Sequence, residues 1–199
     1  MTRVPYASSV VQPIHHIFTF EDYLRVEEDS GLKHEFLDGR VWAMSGGTPA
    51  HAGIAANIMA ALNVQLRGQR CRVFSSDLRI RVRTTELTTY PDVSVIGGQV
   101  ELDADDRKGH TTTNPKVLVE VLSPSTERYD RGEKLTHYQR IATLEEIVLV
   151  AHDRREVEVV RRQADGAWTR HITTGDGVAR LESVGCELAL DEVYRDPLA

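Results

Sequence analysis

Apolar and polar positions alternate over short stretches in the middle of the chain, and a period of two predicts strands. After Asp92, Val93 and Val95 flank Ser94, and further on Val117, Val119 and Val121 alternate with Leu118 and Glu120. CRVFS precedes a stretch in which Leu78, Ile80 and Val82 alternate with Arg79, Arg81 and Arg83. HEFLDGRVWAM predicts a hairpin, because Asp38-Gly39 accepts the positive backbone angles of a two-residue turn. Pairing Leu37 with Arg40 sets Phe36 beside Val41 and Glu35 beside Trp42. From Glu146 onward IVLVAH, EVEVVRR, WTRHIT and CELAL read as successive short strands, an antiparallel tail to the sheet.

Elsewhere the spacing is helical. Ile54, Ile58, Leu62 and Leu66 follow Thr48-Pro49, an N-cap with proline at the first helical position, so a long helix buries one stripe here. Thr19 and Asp22 have capping-box spacing and open a short helix that ends near Asp29 to Gly31. A third helix opens at Ser125 or Thr126 and carries the stripe Leu135, Tyr138, Ile141 and Ala142. Residues 97–115 have no period, and this polar, acidic loop is expected to project as a mobile flap or specificity loop. Residues 1–17 are equally unpatterned and read as an N-terminal arm, with one domain over 18–199. The mixture of strands and helices is that of an α/β (α+β) protein.

A chain of 199 residues suits one domain with a sizeable core. No apolar run approaches bilayer length and the start lacks the apolar core of a signal peptide, so a cytoplasmic protein with no membrane partner is expected. Cys71 and Cys186 are isolated and read as small buried hydrophobes rather than a disulfide or a thiolate zinc site. The net charge of −6 argues against a protein that simply coats nucleic acid. Charge is nonetheless segregated. Arg67, Arg70, Arg72, Arg79, Arg81 and Arg83 crowd one stretch, whose arginine face either meets phosphates or is the solvated side of a strand.

Asp92 and Glu120 stand where apolar residues dominate. A buried carboxylate is costly unless it is paired or holds a cation, which makes these two the first candidates for a site. Glu35 is either a third carboxylate of that site or a surface acid near Arg40. His51, in the first turn of its helix, is either structural or beside the site, and Asp77 is either a turn residue or a member of the cluster. Lys134 either pairs with Asp130 at i,i+4, stabilising by about 0.3 kcal/mol, or reaches over the strand ends. Two or three acids of this kind suit Mg²⁺, with Mn²⁺ as a substitute. Such a metal polarises a phosphate and activates water, so phosphodiester hydrolysis needs no nucleophilic side chain.

Pro91-Asp92 followed by a strand carrying Glu120 resembles the PD-(D/E)XK nuclease superfamily. HEFLDGRV, SSDLRIRV, YPDVSV, LVEVLSPST and YDRGEKLTHY, in this order, resemble the Uma-type restriction endonuclease family from about Phe18 to beyond Val150. The resemblance implies a restriction-endonuclease-like core, a mixed central sheet flanked by helices, here with an antiparallel C-terminal extension. It implies divalent-metal binding by Asp92 and Glu120, with Glu35 as a further acid, and DNA as the partner. The superfamily's lysine two residues after the second acid is replaced by Leu122. In this family a lysine on the following helix takes over, and Lys134 is the matching position. The catalytic set expected is therefore Asp92, Glu120, Lys134 and Glu35. Cutting both strands of a duplex with one site per chain needs two copies, so a homodimer is expected, with the N-terminal arm in its interface. Two other readings stand beside this one: an inactive nuclease fold kept as a nucleic-acid- or protein-binding module, and a glycosidase-like carboxylate pair.

Overall fold

The computed structural model describes residues 17–196, so the arm expected over residues 1–17 lies, apart from Ile17, outside the described residues. The valine alternation builds a six-stranded mixed sheet in the order β11-β10-β9-β8-β6-β3. Its strands are β3 (Cys71–Ser75), β6 (Val93–Gly97), β8 (Val117–Leu122), β9 (Glu146–Ala151), β10 (Glu156–Arg162) and β11 (Trp168–Thr174). A five-stranded sheet in the order β2-β1-β5-β4-β7 contains β1 (His34–Leu37), β2 (Arg40–Ala43), β4 (Arg79–Val82), β5 (Leu87–Thr89) and β7 (Thr111–Thr112). A separate hairpin joins β12 (Val178–Leu181) to β13 (Cys186–Ala189).

The odd and even positions of the central strands serve two cores. Val93, Val95, Val117, Val119, Val121, Val148 and Val150 pack against Ile54, Ile58 and Leu62 of α2 (Pro49–Gln65) and against the β12-β13 hairpin with α5 (Leu190–Val193). Leu118, Leu122, Ile147 and Leu149 face the other way, toward Ile80, Val82 and Leu87 of the second sheet and toward Leu135, Tyr138 and Ile141. Complete removal of such side chains from water stabilises by about 1.5–3 kcal/mol each.

The local signals read from sequence hold. Thr19 and Asp22 make the capping box of α1 (Phe20–Asp29), and Thr48 caps α2 with proline in its first turn. The β1-β2 hairpin has the register Leu37↔Arg40, Phe36↔Val41 and Glu35↔Trp42, with positive φ at Asp38 and Gly39.

Four expectations are corrected. The loop between Gly97 and Pro115 is not a projecting flap. Its β7 pairs parallel to β4, Leu102 bridges Thr112, and Asp103 is buried against Arg81. Arg79 and Arg81 are buried as well, so of the arginine face expected over 79–83 only Arg83 is exposed. The segment after Ser125 is not one continuous α-helix: α3 (Glu127–Tyr129), a π turn (Asp130–Lys134) and α4 (Leu135–Tyr138) follow one another. Neither Ser125 nor Thr126 caps it, and their hydroxyls bond to that of Ser123 instead. Finally, β9 runs parallel to β8 inside the central sheet, so the antiparallel extension begins only at β10. Among the described residues no helix is long and apolar enough to cross a membrane.

Candidate active site

Register alone brings the two strand carboxylates together. β6 pairs antiparallel with β8 as far as Val93↔Val119, and Asp92 and Glu120 are the next residues beyond that last pair. The Val121 amide donates to Asp92 Oδ2 at 2.7 Å, which ties the Asp92 carboxylate to the end of β8. Glu120 faces the same way as Leu118 and Leu122, into the side of the sheet covered by the broken helix.

The π turn supplies the cation. π turns inside helices are rare and concentrate at functional sites. Here the turn, continuing into α4, presents Asp130, Lys134 and Tyr138 to β8, and all three are buried. Lys134 Nζ lies 2.9 Å from Glu120 Oε1, 3.5 Å from Asp130 Oδ1 and 3.7 Å from Glu35 Oε2. Tyr138 donates its hydroxyl hydrogen bond to Glu120. Glu35 is the third carboxylate around Lys134: Thr89 Oγ1 donates to its Oε2 at 2.6 Å, and Tyr129 donates to its Oε1. The surface-acid reading of Glu35 is thereby overturned, since its residue is only 3% exposed. Lys134 makes the i,i+4 pair with Asp130 and also reaches Glu120 on the strand, and at 4% exposure it is buried.

Burial penalises the charge on Glu120, and Asp130 and Asp92 add to that against the opposing Lys134, so its carboxyl is pushed up to about 8. Burial alone would lower Lys134, but Glu120, Glu35 and Asp130 outweigh it and hold the ammonium above the usual lysine range. Both shifts are upward, so each member of the pair favours its protonated form. Lys134 stays charged because three carboxylates surround it, and Glu120 is the member that takes up a proton. Tyr138 is held well above the usual phenol range, first by burial and then by Glu120, so it remains a donor.

His51 reaches the cluster from α2, with Nε2 3.3 Å from Asp92 Oδ2. Its hydrogen bonding to Asp92 outweighs burial and raises it above the ordinary histidine value. Gly47 leaves room for the ring, because a Cβ there would come within 2.6 Å of His51 Nδ1. Asp77 is at another location, paired with Lys33 at 2.7 Å. Asp92, Glu120, Asp130, Lys134 and His51 all line one cavity of about 690 Å³, and Met59 of α2 lines it too.

The donor set fits a hard cation at Asp92 and Glu120. Mg²⁺ commonly takes one or two protein carboxylates and completes its shell with water and phosphate oxygens. A divalent ion would also offset the penalty that burial and Asp92 place on the Glu120 charge. Among the described residues no set of three or more His, Cys, Asp or Glu side chains is arranged to hold a metal ion. Glu35 is engaged by Thr89, Tyr129 and Lys134 and is not among the residues that line the cavity. Sequence reasoning missed Thr89, Tyr129, Tyr138 and the inward turn of Asp130. For Tyr138 and Asp130 the available signal was a hydroxyl and a carboxylate one turn either side of a lysine on an otherwise apolar stripe.

The chain is similar to known proteins over most of its length. The Uma2 family model, described as "Putative restriction endonuclease", matches residues 20–191. The uncharacterized protein slr1290 of Synechocystis sp. is 37% identical over 176 residues, covering 88% of this chain and 90% of that protein. A second uncharacterized Synechocystis protein, sll1609, is 30% identical over 152 residues, covering 76% of this chain and 85% of its own. The crystal structure of "a putative nuclease belonging to DUF820" from Anabaena variabilis ATCC 29413 has the same fold, with a TM-score of 0.72 at 18% identity over 89% of this chain and 97% of that one. The chain thus has a restriction-endonuclease-like core and belongs to the Uma2 family, within the PD-(D/E)XK-like nucleases.

Proposed function

We propose that the chain is a divalent-metal-dependent endonuclease that hydrolyses DNA phosphodiester bonds, with Mg²⁺ as its cofactor and Mn²⁺ as a substitute. The observation that carries this reading is the convergence of Asp92, Glu120 and the Lys134 ammonium on one cavity. Bound at Asp92 and Glu120, the metal supplies Lewis acidity toward the phosphate and lowers the pKa of a water. The chain's own groups do the remaining work. Lys134 presents a permanent positive charge where negative charge develops on the phosphate oxygens. Glu35, steadied by Thr89 and Tyr129, and Asp130 hold that ammonium in place, and Tyr138 orients Glu120.

The reading is tested by titrating Mg²⁺ and Mn²⁺ into the wild type, Asp92→Asn and Glu120→Gln, with cleavage of supercoiled plasmid followed in parallel. Metal affinity and cleavage should fall together in both variants; equal affinity in all three proteins would remove the carboxylates from the metal site. The proposal includes a homodimer, because a duplex break from one site per chain calls for two copies. Light scattering that finds a monomer at micromolar concentration would reject a stable dimer.

A further inference from the structure

A second cavity of about 470 Å³ adjoins the first, and Gly31, Leu32, Lys33 and Tyr90 wall both. Arg79 of β4 lines it and is 5% exposed. Two residues on, on the same side of the strand, Arg81 is fully matched in charge: Asp103, Asp105 and Glu86 lie 3.1, 2.8 and 2.7 Å from its guanidinium. No carboxylate among the described residues lies within ion-pair distance of Arg79, and its Nε and Nη1 are buried without a hydrogen-bond acceptor. The rings of Tyr23 and Tyr90, 5.5 and 5.7 Å from its Cζ, hold the guanidinium but take none of its N–H groups.

The neighbouring acids have other hydrogen-bond or ion-pair partners, and Asp106 also feels the Arg79 charge. Glu27 accepts from the His34 amide and the Tyr90 hydroxyl and meets His34 Nδ1 at 2.8 Å. Asp106 accepts from the amides of Lys108 and His110 and from the Thr111 hydroxyl. Glu28 pairs with Lys108, and Asp77 with Lys33. The buried Arg79 guanidinium thus lines this cavity without an ion-pair partner among the described residues, beside the paired Lys33 and Lys108 and the acids Glu27, Glu28, Asp77 and Asp106. A guanidinium edge matches two oxygens of a tetrahedral oxyanion.

We propose that Arg79 is the anchor of a phosphate subsite that holds a backbone phosphate of the nucleic acid strand next to the scissile bond, an inference that rests on the nuclease reading above. Tyr90 walls both cavities and lies two residues before Asp92, so a strand leaving the metal site passes directly into the subsite.

The test is oligonucleotide binding in EDTA, read by fluorescence anisotropy across a salt series, so that binding is separated from hydrolysis. Relative to wild type, Arg79→Gln should weaken binding about tenfold and lower the salt slope by about one contact, with Arg79→Lys retaining most of the slope. A single neutral methylphosphonate near the scissile position should reproduce the loss in wild type and add nothing in Arg79→Gln. Unchanged affinity and slope in Arg79→Gln, or methylphosphonate losses that add in full, overturn the subsite. If circular dichroism shows that Arg79→Gln is unfolded, Lys108→Ala and the methylphosphonate scan carry the test, and the absence of any sensitive position overturns it. Free phosphate that binds at Arg79 while oligonucleotides do not bind overturns the nucleic acid assignment. A wild type that binds through Arg79 yet never cuts with Mg²⁺ keeps the subsite and loses the nuclease reading, so the two failures are distinct.

Discussion

Lys134 is the residue through which the site's electrostatics run. Removing it as Lys134→Ala should slow phosphodiester cleavage by about a hundredfold or more, the order seen when one electrostatic stabiliser is lost. Stability should fall as well, by roughly 3–5 kcal/mol, because three buried carboxylates lose their shared counter-charge. Cleavage rates and denaturant midpoints check both, and Asp130→Ala should affect the rate much less, since Glu35 and Glu120 still hold the ammonium. Glu120 gives a pH signature. Its carboxyl is held at about 8 against an ordinary 4.5, so the folded protein keeps a proton that the unfolded chain releases. The metal-free protein should therefore lose stability as pH rises between about 4.5 and 8, a slope that Glu120→Gln or added Mg²⁺ should flatten in melting curves. Asp92 and Glu120 were legible because charge interrupts apolar patterns at their positions, whereas spacing left Lys134 between two roles and the family resemblance singled it out. Glu35 was ambiguous because alternation in a hairpin says which residues share a face, not that Tyr129 and Lys134 cover it.

Elements were readable where local chemistry sets them and opaque where tertiary packing does. The caps of α1 and α2 and the β1-β2 turn follow from side chains within a few residues of one another. The π turn does not: an extra residue in the Asp130–Lys134 turn has no propensity signature, and it is the packing of Lys134 against Glu120 that gives it a purpose. The loop after β6 illustrates the same limit. Its acidic, aperiodic sequence suggests solvent, yet Arg81 draws Asp103 and Asp105 onto the sheet. Asp103→Ala should consequently destabilise by about 1.5–3 kcal/mol, the worth of a hydrogen bond to a charged group. It should also open residues 98–115 to proteolysis that the wild type resists, and equal digestion of the two proteins would count against the clamp.

At the scale of the molecule, strands could be counted from sequence but not assigned to sheets. β3 and β4 are consecutive, yet β3 pairs with β6 and β4 with β5, so the Ser76-Asp77 turn crosses between layers instead of closing a hairpin. The C-terminal hairpin was similarly underrated as an appendage. Leu181, Leu188, Leu190 and Val193 complete the core around α2, Asn57 donates to the carbonyls of Val193 and Arg195, and Glu146 binds the amides of Glu182 and Ser183. A chain cut after residue 177 should fail to melt cooperatively, with α2 exposed to protease. Every charged member of the site precedes Tyr138, whereas the segment that seats the α2 wall spans residues 178–193. Seen from the ribosome, the chemistry is translated early and the latch late. A nascent chain stalled before that latch should be protease-sensitive, and one extended past it by a tunnel-length linker resistant. On the proposed function, the order of synthesis would thereby withhold an organised site from unfinished copies.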